Sequence, residues 1–423
     1  MNTNLKALLE EASLDGYKIQ TQKTESYELF FVHRALETVR ATDTDVTSVT
    51  VYSDHDGKKG DASFFVYAST TDDEIRTMIA AAVDKAKKIE NQYYDLPADE
   101  TLDGEIPSNF TEYDPCDLAS AIADAVFDAD TYGNGSVNAL EIFINRYTVS
   151  VVNSRGINKR EVKYGAVVEV IPTWNEGESV ELYQCERFNR FDPAALKASV
   201  EEKMREVRDR GRATPPADPI KCPVVLGPHE LASLFFDLAG ELGYGGVYAH
   251  SNAYSLGDEV QKNCTGDRLT ITMRGSMEGS SASALFDGDG TTLTDTTVIE
   301  NGVVSHYYGS HRFAQYLDLP ATGQLRCLEA NAGTCSRDDL ASQPYFRCVS
   351  MSGLQVDIFN DYIGGEVRLA YYCDGDKTIP VTGISISGKL SDALSSLRLS
   401  QDVTCVGNYR GPDFALLNGI EIV

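Results

Sequence analysis

His229-Glu230 opens a segment in which residue types and spacing suggest metal chemistry. The stretch Lys221 to Ser251 reads "KCPVVLGPHELASLFFDLAGELGYGGVYAHS". In an H-E-x-x-H helix, two histidines one turn apart hold zinc and the glutamate activates a water. The second histidine is absent: Ser233 stands four residues on from His229 and Leu234 five. The spacing thus leaves open a peptidase, a peptidase fold without its metal, or an unrelated helix. His306 and His311, five apart in "SHYYGSHRF", are a second candidate pair, and the expectation favours two polar residues in a tyrosine-rich strand and turn. Asp130 to Glu141, "DTYGNGSVNALE", follows part of a calcium-loop pattern. Tyr132 occupies the third position, where an oxygen ligand is needed, and a strand-like run follows where an exiting helix belongs, so no calcium site is expected. G-x-S-x-G, P-loop and G-x-G-x-x-G motifs are missing, which removes support for serine-hydrolase and nucleotide-binding readings.

The elements that would carry these residues can be read from periodicity. After Gly227-Pro228, Leu231, Leu234, Phe235, Leu238 and Leu242 fall on one side of a helix, and Glu230, Ser233, Asp237 and Glu241 fall on the other. The acidic side is either a solvated face or a cleft wall. Upstream, strands are expected at residues 27–39, 46–53 and 62–67, then a capped helix beginning near Thr70-Thr71 with lysines in its last turns. A loop over 91–111 leads to a helix over 115–127. Strands over 139–153, 159–172 and 179–187 and a helix over 193–210 follow. "GRATPPADP" has the composition of a connector. Beyond it, short strand-like runs punctuated by glycine, such as "DRLTITM" and "IPVTGISISG", suggest a mostly β half. The expected class is α+β. An amino-terminal domain (1–215) holds an antiparallel sheet with helices, and a carboxy-terminal domain (216–423) is mainly β, barrel-like or a sandwich.

Composition narrows the function classes. The chain has 423 residues, enough for two domains of ordinary size. Lys and Arg number 37 against 64 Asp and Glu, a formal charge of −27, and such a surface repels the phosphate backbone, so direct nucleic-acid binding is disfavoured. The nine cysteines are scattered without a C-x-x-C pair, which suits reduced thiols and a cytoplasmic location. Neither a signal peptide nor a membrane span is expected.

With these residues in view, "VVLGPHELASLFFDLAGELGYGGVYAHSNAYSLGDEV" resembles the corresponding segment of the TldD/PmbA family, the modulators of DNA gyrase understood as peptidase subunits. The amino-terminal "ETVRATDTDVTSVTVYSDHDGKKGDASFFVYASTTDDEI", the middle "VSVVNSRGINKREVKYGAVVEV", "FDGDGTTLTDTTVIENGVVSHYY" and "GKLSDALSSL" resemble further family segments in the same order. The resemblance implies that in metal-bearing TldD members a helix carries H-E-x-x-x-H and a late cysteine adds a third zinc ligand. It places Phe236, Asp237 and Glu241 at those helix positions and Cys405 near the cysteine position. His229-Glu230 then lies about two turns upstream of the motif. This loss of ligands characterises the branch called PmbA or TldE.

The resemblance therefore implies a subunit of a TldD/PmbA-type metallopeptidase complex in proteolysis or peptide maturation. No cofactor is expected in this chain, and zinc is expected in a TldD-like partner subunit. The substrate class is peptide or unfolded protein, with Asp237 and Glu241 as candidate substrate contacts. No catalytic residue is assigned with the motif positions degenerate, and homodimerisation of the isolated chain is left open. Two alternatives stand beside it: a stand-alone metallopeptidase using His229, Glu230 and Cys405, and a non-enzymatic peptide- or protein-binding protein.

Overall fold

The computed structural model describes residues 4–177, 179–375 and 377–423. The amino-terminal half runs α1 (Leu5–Glu11), β1 (Gly16–Val32), β2 (Ala35–His55), β3 (Lys58–Val66), α2 (Asp72–Ala86), β4 (Asn91–Gln92), β5 (Thr101–Glu105), α3 (Pro115–Asp128), β6 (Gly135–Asn153), β7 (Asn158–Trp174), β8 (Val180–Glu181), β9 (Gln184–Phe188) and α4 (Pro193–Arg212). Among the described residues its strands form one sheet in the order β4-β3-β2-β1-β6-β7-β5, with β8 and β9 beside β7. Helix starts follow their capping chemistry. Thr71 and Glu74 form a capping box on α2, and Asp114 and Asp192 cap α3 and α4 ahead of a proline at the first helical position.

The expectation of a single strand over 27–39 is corrected here. β1 and β2 form a long hairpin that turns at His33-Arg34, both left-handed with φ 47° and 66°. A two-residue hairpin turn needs positive φ at both positions and usually announces itself with Asn or Gly. His-Arg gives no such signal, so the apolar run reads straight through the turn.

Strand alternation assigns the two faces of this sheet different work. On β1, Tyr17, Ile19 and Leu29 point to the helices, as do Val49 and Val51 on β2 and Ala166, Val168 and Val170 on β7. All four helices pack on that one face. The opposite face, with Lys18, Gln20 and Gln22 on β1 and Lys159, Glu161 and Lys163 on β7, looks toward the carboxy-terminal half. Polar contacts close one end of it. Lys18 Nζ meets Asp289 Oδ1 at 2.7 Å, the fully buried Lys159 meets Glu100 Oε2 at 2.7 Å and Thr292 Oγ1 at 2.6 Å, and the Leu285 amide donates to Glu161 Oε2 at 2.7 Å.

From Val224 onward come β10 (Val224–Leu226), α5 (Pro228–Gly240), α6 (Tyr244–Tyr248), β11 (Ile271–Arg274), β12 (Thr296–Glu300), β13 (Val303–Val304), α7 (His311–Leu317), β14 (Cys327–Ala330), α8 (Arg337–Ala341), β15 (Tyr345–Met351), β16 (Gln355–Asp357), β17 (Tyr362–Asp374), β18 (Lys377–Val381), β19 (Ile384–Gly388), α9 (Leu390–Ser395), β20 (Arg398–Leu399), β21 (Val403–Val406), β22 (Tyr409–Pro412), β23 (Ala415–Leu417) and β24 (Ile420–Ile422). They make two open sheets, β20-β23-β10-β15-β17-β19-β24 with β16 and β18 on β17, and β13-β12-β11-β14-β22-β21. Among the described residues neither sheet closes on itself, so the barrel-like alternative falls away. Two sheets sharing one core can bury the same apolar residues without closure, and glycine-punctuated strands do not distinguish the two arrangements. The class is α+β. No helix among the described residues is long and apolar enough to cross a membrane.

Candidate functional site

α5 is the element on which every metal argument turns. Gly227 is its N-cap and Pro228 its first residue. Leu231, Leu234, Phe235, Leu238, Ala239 and Leu242 are all fully buried, in the core that both carboxy-terminal sheets share. The helix packs on β10, β11, β14, β21 and β22, and Phe235 lies 6.2 Å from the Tyr409 ring. Burying one side chain of this kind contributes about 1.5–3 kcal/mol, so the apolar face fixes how the remaining residues are presented.

His229 and Glu230 sit in the first turn and face α4. Glu230 is the third helical residue, and its carboxylate turns back to accept from its own amide and from that of Gly227. That is the returning half of a capping box, with glycine in place of the usual Ser or Thr. Burial nevertheless pushes Glu230 up to about 7, so desolvation outweighs the helix N-terminus, whose pull on a carboxylate is about 0.3–1 kcal/mol. Lys203 and the buried Glu206 of α4 lie near it, and the fully buried Cys348 thiol is pushed up by burial and then by Glu230. His229 is exposed, yet the chain packed around its ring holds the imidazole below its ordinary value.

The positions that the family resemblance singles out lie further along. Phe236 is half-buried against the shared core. Asp237 is exposed, and partial burial and then Glu241 push its carboxyl up. Glu241, just past the helix, accepts a hydrogen bond from the Ala253 amide at 2.5 Å, which ties the following loop to the end of α5. Cys405 is on β21, the strand that α5 packs against, and burial pushes its thiol up. Arg410, Glu329 and Glu278 surround it, whereas Glu186, Lys203 and Glu202 surround His229. The two surroundings share no residue. Among the described residues no group of three or more His, Cys, Asp and Glu is arranged to hold a metal ion.

The other sequence candidates are used locally. The His306 ring is 3.0 Å from the Thr297 carbonyl, and the His311 ring is 3.0 Å from the Asp95 carbonyl and 2.7 Å from the Gln315 amide nitrogen. Asp130 accepts from the Val137 amide at 3.3 Å and pairs with Arg34 at 3.6 Å, while Glu141 lies within β6. A cleft lined by Lys18, Tyr52, Asp289 and Arg312 has only about 10 Å³ of space, room for about one water. A larger cavity of about 240 Å³ lies on the helix-free face of the first sheet, where Lys163 and Arg187 line it with Gln22, Tyr147 and Ser281. The sequence reading did not single these residues out. Their only signal was the polar alternation of β7, "NKREVKYGAV", which also fits a strand with one solvated face.

Residues 219–423 match the family described as PmbA/TldA metallopeptidase C-terminal domain. The whole fold is similar to the crystal structure of TldE from Thermococcus kodakarensis, with a TM-score of 0.82 at 15% identity over 100% of both chains. It is also similar to a candidate modulator of a DNA gyrase from Thermotoga maritima, with a TM-score of 0.76 at 15% identity over 99% of this chain and 98% of that one. A candidate modulator of DNA gyrase from Bacteroides thetaiotaomicron matches with a TM-score of 0.77 at 15% identity over 99% and 97%. No curated protein matches the sequence significantly. Residues 219–423 therefore belong to the TldD/PmbA family, and the whole chain shares its fold with these three structures.

Proposed function

We propose that this chain is a PmbA/TldE-like subunit of a TldD/PmbA-type metallopeptidase complex that acts in proteolysis or peptide maturation in the cytoplasm, and that it is not catalytic by itself. One observation carries the reading: the family fold is complete, while the α5 positions that would hold a metal carry a phenyl ring at Phe236 and a carboxylate at Glu241 already engaged by the Ala253 amide. A phenyl ring offers no lone pair, and one carboxylate with one thiol falls short of a tetrahedral zinc site. Zinc and the general base then come from a TldD-like partner, where the metal would activate water.

What this chain contributes is binding. Residues 35–46 of β2 lie beyond the reach of β3, which pairs with β2 only from Thr47. That edge, with Leu36 and Val39 about half exposed, offers backbone groups to which an extended peptide adds as a strand. Asp237 is the exposed acid on α5 and favours basic or neutral peptides. We place the division between two domains at 215/216, between α4 and β10. The test is a peptidase assay on the chain alone, a TldD-type partner alone and the mixture, with a partner altered in its zinc motif as control. Cleavage by the mixture only is expected, and chelator-sensitive cleavage by this chain alone would overturn the proposal.

A further inference from the structure

The helix-free face of the first sheet holds a positively charged cavity in a protein whose formal charge is −27. Register brings its walls together. Tyr147 on β6 is directly opposite Lys163 on β7, and Val167 on β7 is opposite Arg187 on β9. Gln22 on β1 completes the sheet wall, and Ser281 from the segment that docks on this face supplies the other. Gly165 forms the floor: a Cβ there would stand 3.1 Å from the Ser281 Cβ, so a side chain at this position would fill the gap between sheet and loop.

The cations around this space lack close anionic partners. Lys163 is largely buried, and its nearest carboxylate oxygen, Glu161 Oε1, is 3.9 Å away, beyond hydrogen-bond range. The other Glu161 oxygen is engaged by the Leu285 amide. Arg326 adds like charge beside Lys163. Among the described residues, Arg187 and Arg326 pair with no carboxylate, although acids outnumber bases across the chain. With Glu161 no closer than 3.9 Å to Lys163 and, among the described residues, no carboxylate paired with Arg187, the two cations that line the cavity keep hydrogen-bond donors for an external anion. The groups suit an oxyanion: a guanidinium fork, an ammonium, a phenol, an amide and a hydroxyl can all donate to carboxylate oxygens. About 240 Å³ is below the roughly 300–1,000 Å³ of sites for drug-sized ligands, so it suits the end of a chain better than a bulky molecule.

We propose that this cavity captures the terminal carboxylate of a short peptide through Lys163 and Arg187. It thereby sets where the carboxy-terminal end of a substrate lies on the sheet face, an inference that rests on the peptide-binding role above. Charge capture of this kind reads the free acid and ignores side-chain sequence.

The test is calorimetric binding of N-acetyl-trialanine to the full chain, as the free acid and as the carboxamide, with inorganic phosphate as a separate titrant and competitor. The free acid is expected to bind at least tenfold tighter than the amide. Lys163→Gln and Arg187→Gln, the latter at an exposed position that folding tolerates, should each weaken the acid tenfold or more. Arg76→Gln on a remote helix should leave it unchanged. Equal affinity for acid and amide, full affinity in both cavity variants, equal losses from Arg76→Gln, or binding of phosphate without binding of the peptide acid would each overturn the assignment. Because the measurement needs neither partner nor catalysis, acid selectivity without cleavage by the mixture would sink the complex alone, and cleavage without acid selectivity would sink the cavity alone.

Discussion

Replacing Glu230 by glutamine separates a buried capping residue from a metal-site glutamate. Burial raises this carboxyl from an ordinary 4.5 to about 7. A folded pKa above the unfolded one means that the folded chain holds the proton more tightly between those values. Stability is therefore undiminished below about pH 4.5 and falls as pH rises toward 7. At about 1.36 kcal/mol per pH unit of separation, the loss approaches an upper bound of about 3 kcal/mol above pH 7. Glutamine keeps a carbonyl oxygen for the Gly227 amide and never ionises. Glu230→Gln should then match the native chain at pH 4 and exceed it by about 1–3 kcal/mol at pH 8, read as the difference between urea unfolding curves. Glu161, Glu206 and Asp287 are also raised by burial, and taking the difference removes their common slope. A variant less stable than the native chain at pH 8 would show that the carboxylate is held ionised, as in a metal site, and would refute the reasoning.

Glu241→Ala should cost about 1.5–3 kcal/mol, because it removes a charged acceptor from the Ala253 amide; a neutral result by urea unfolding would free Glu241 for another role. At the contact between the halves, Glu100→Ala should destabilise more than Lys159→Met. The first strands a fully buried ammonium beside Thr292, whereas the second leaves a half-exposed carboxylate to water. Equal unfolding midpoints for the two variants would contradict that asymmetry. Limited proteolysis is expected to cut first between residues 211 and 221, giving two stable fragments, and a first cut within β6 or β7 would contradict the division.

Much of the architecture was legible because it rests on local chemistry. The Asp-Pro starts of α3 and α4, the Thr-Asp start of α2 and the apolar stripe of α5 each identify a helix from a few neighbouring residues. The hairpin turn was not, since His33-Arg34 adopts a left-handed conformation without the residues that favour it. Within 91–111, read as a loop, β5 pairs in parallel with β7, and such a short strand is defined by a distant partner more than by its own pattern. The sequence marked His229-Glu230 but could not say that Glu230 would turn back on its own helix. The cavity was hidden for a related reason: Gln22, Tyr147, Lys163 and Arg187 come together only through the register of four strands.

The central claim is that this chain keeps a peptidase-family fold without the means to hold the metal, and elemental analysis tests it most directly. The purified chain, a TldD-type protein and their mixture should be measured side by side after exposure to zinc and removal of excess. The account predicts no stoichiometric zinc on this chain alone and the same zinc content on the TldD-type protein whether or not this chain is present. About one zinc per chain on the isolated protein, lost on His229→Ala or Cys405→Ala, would contradict it.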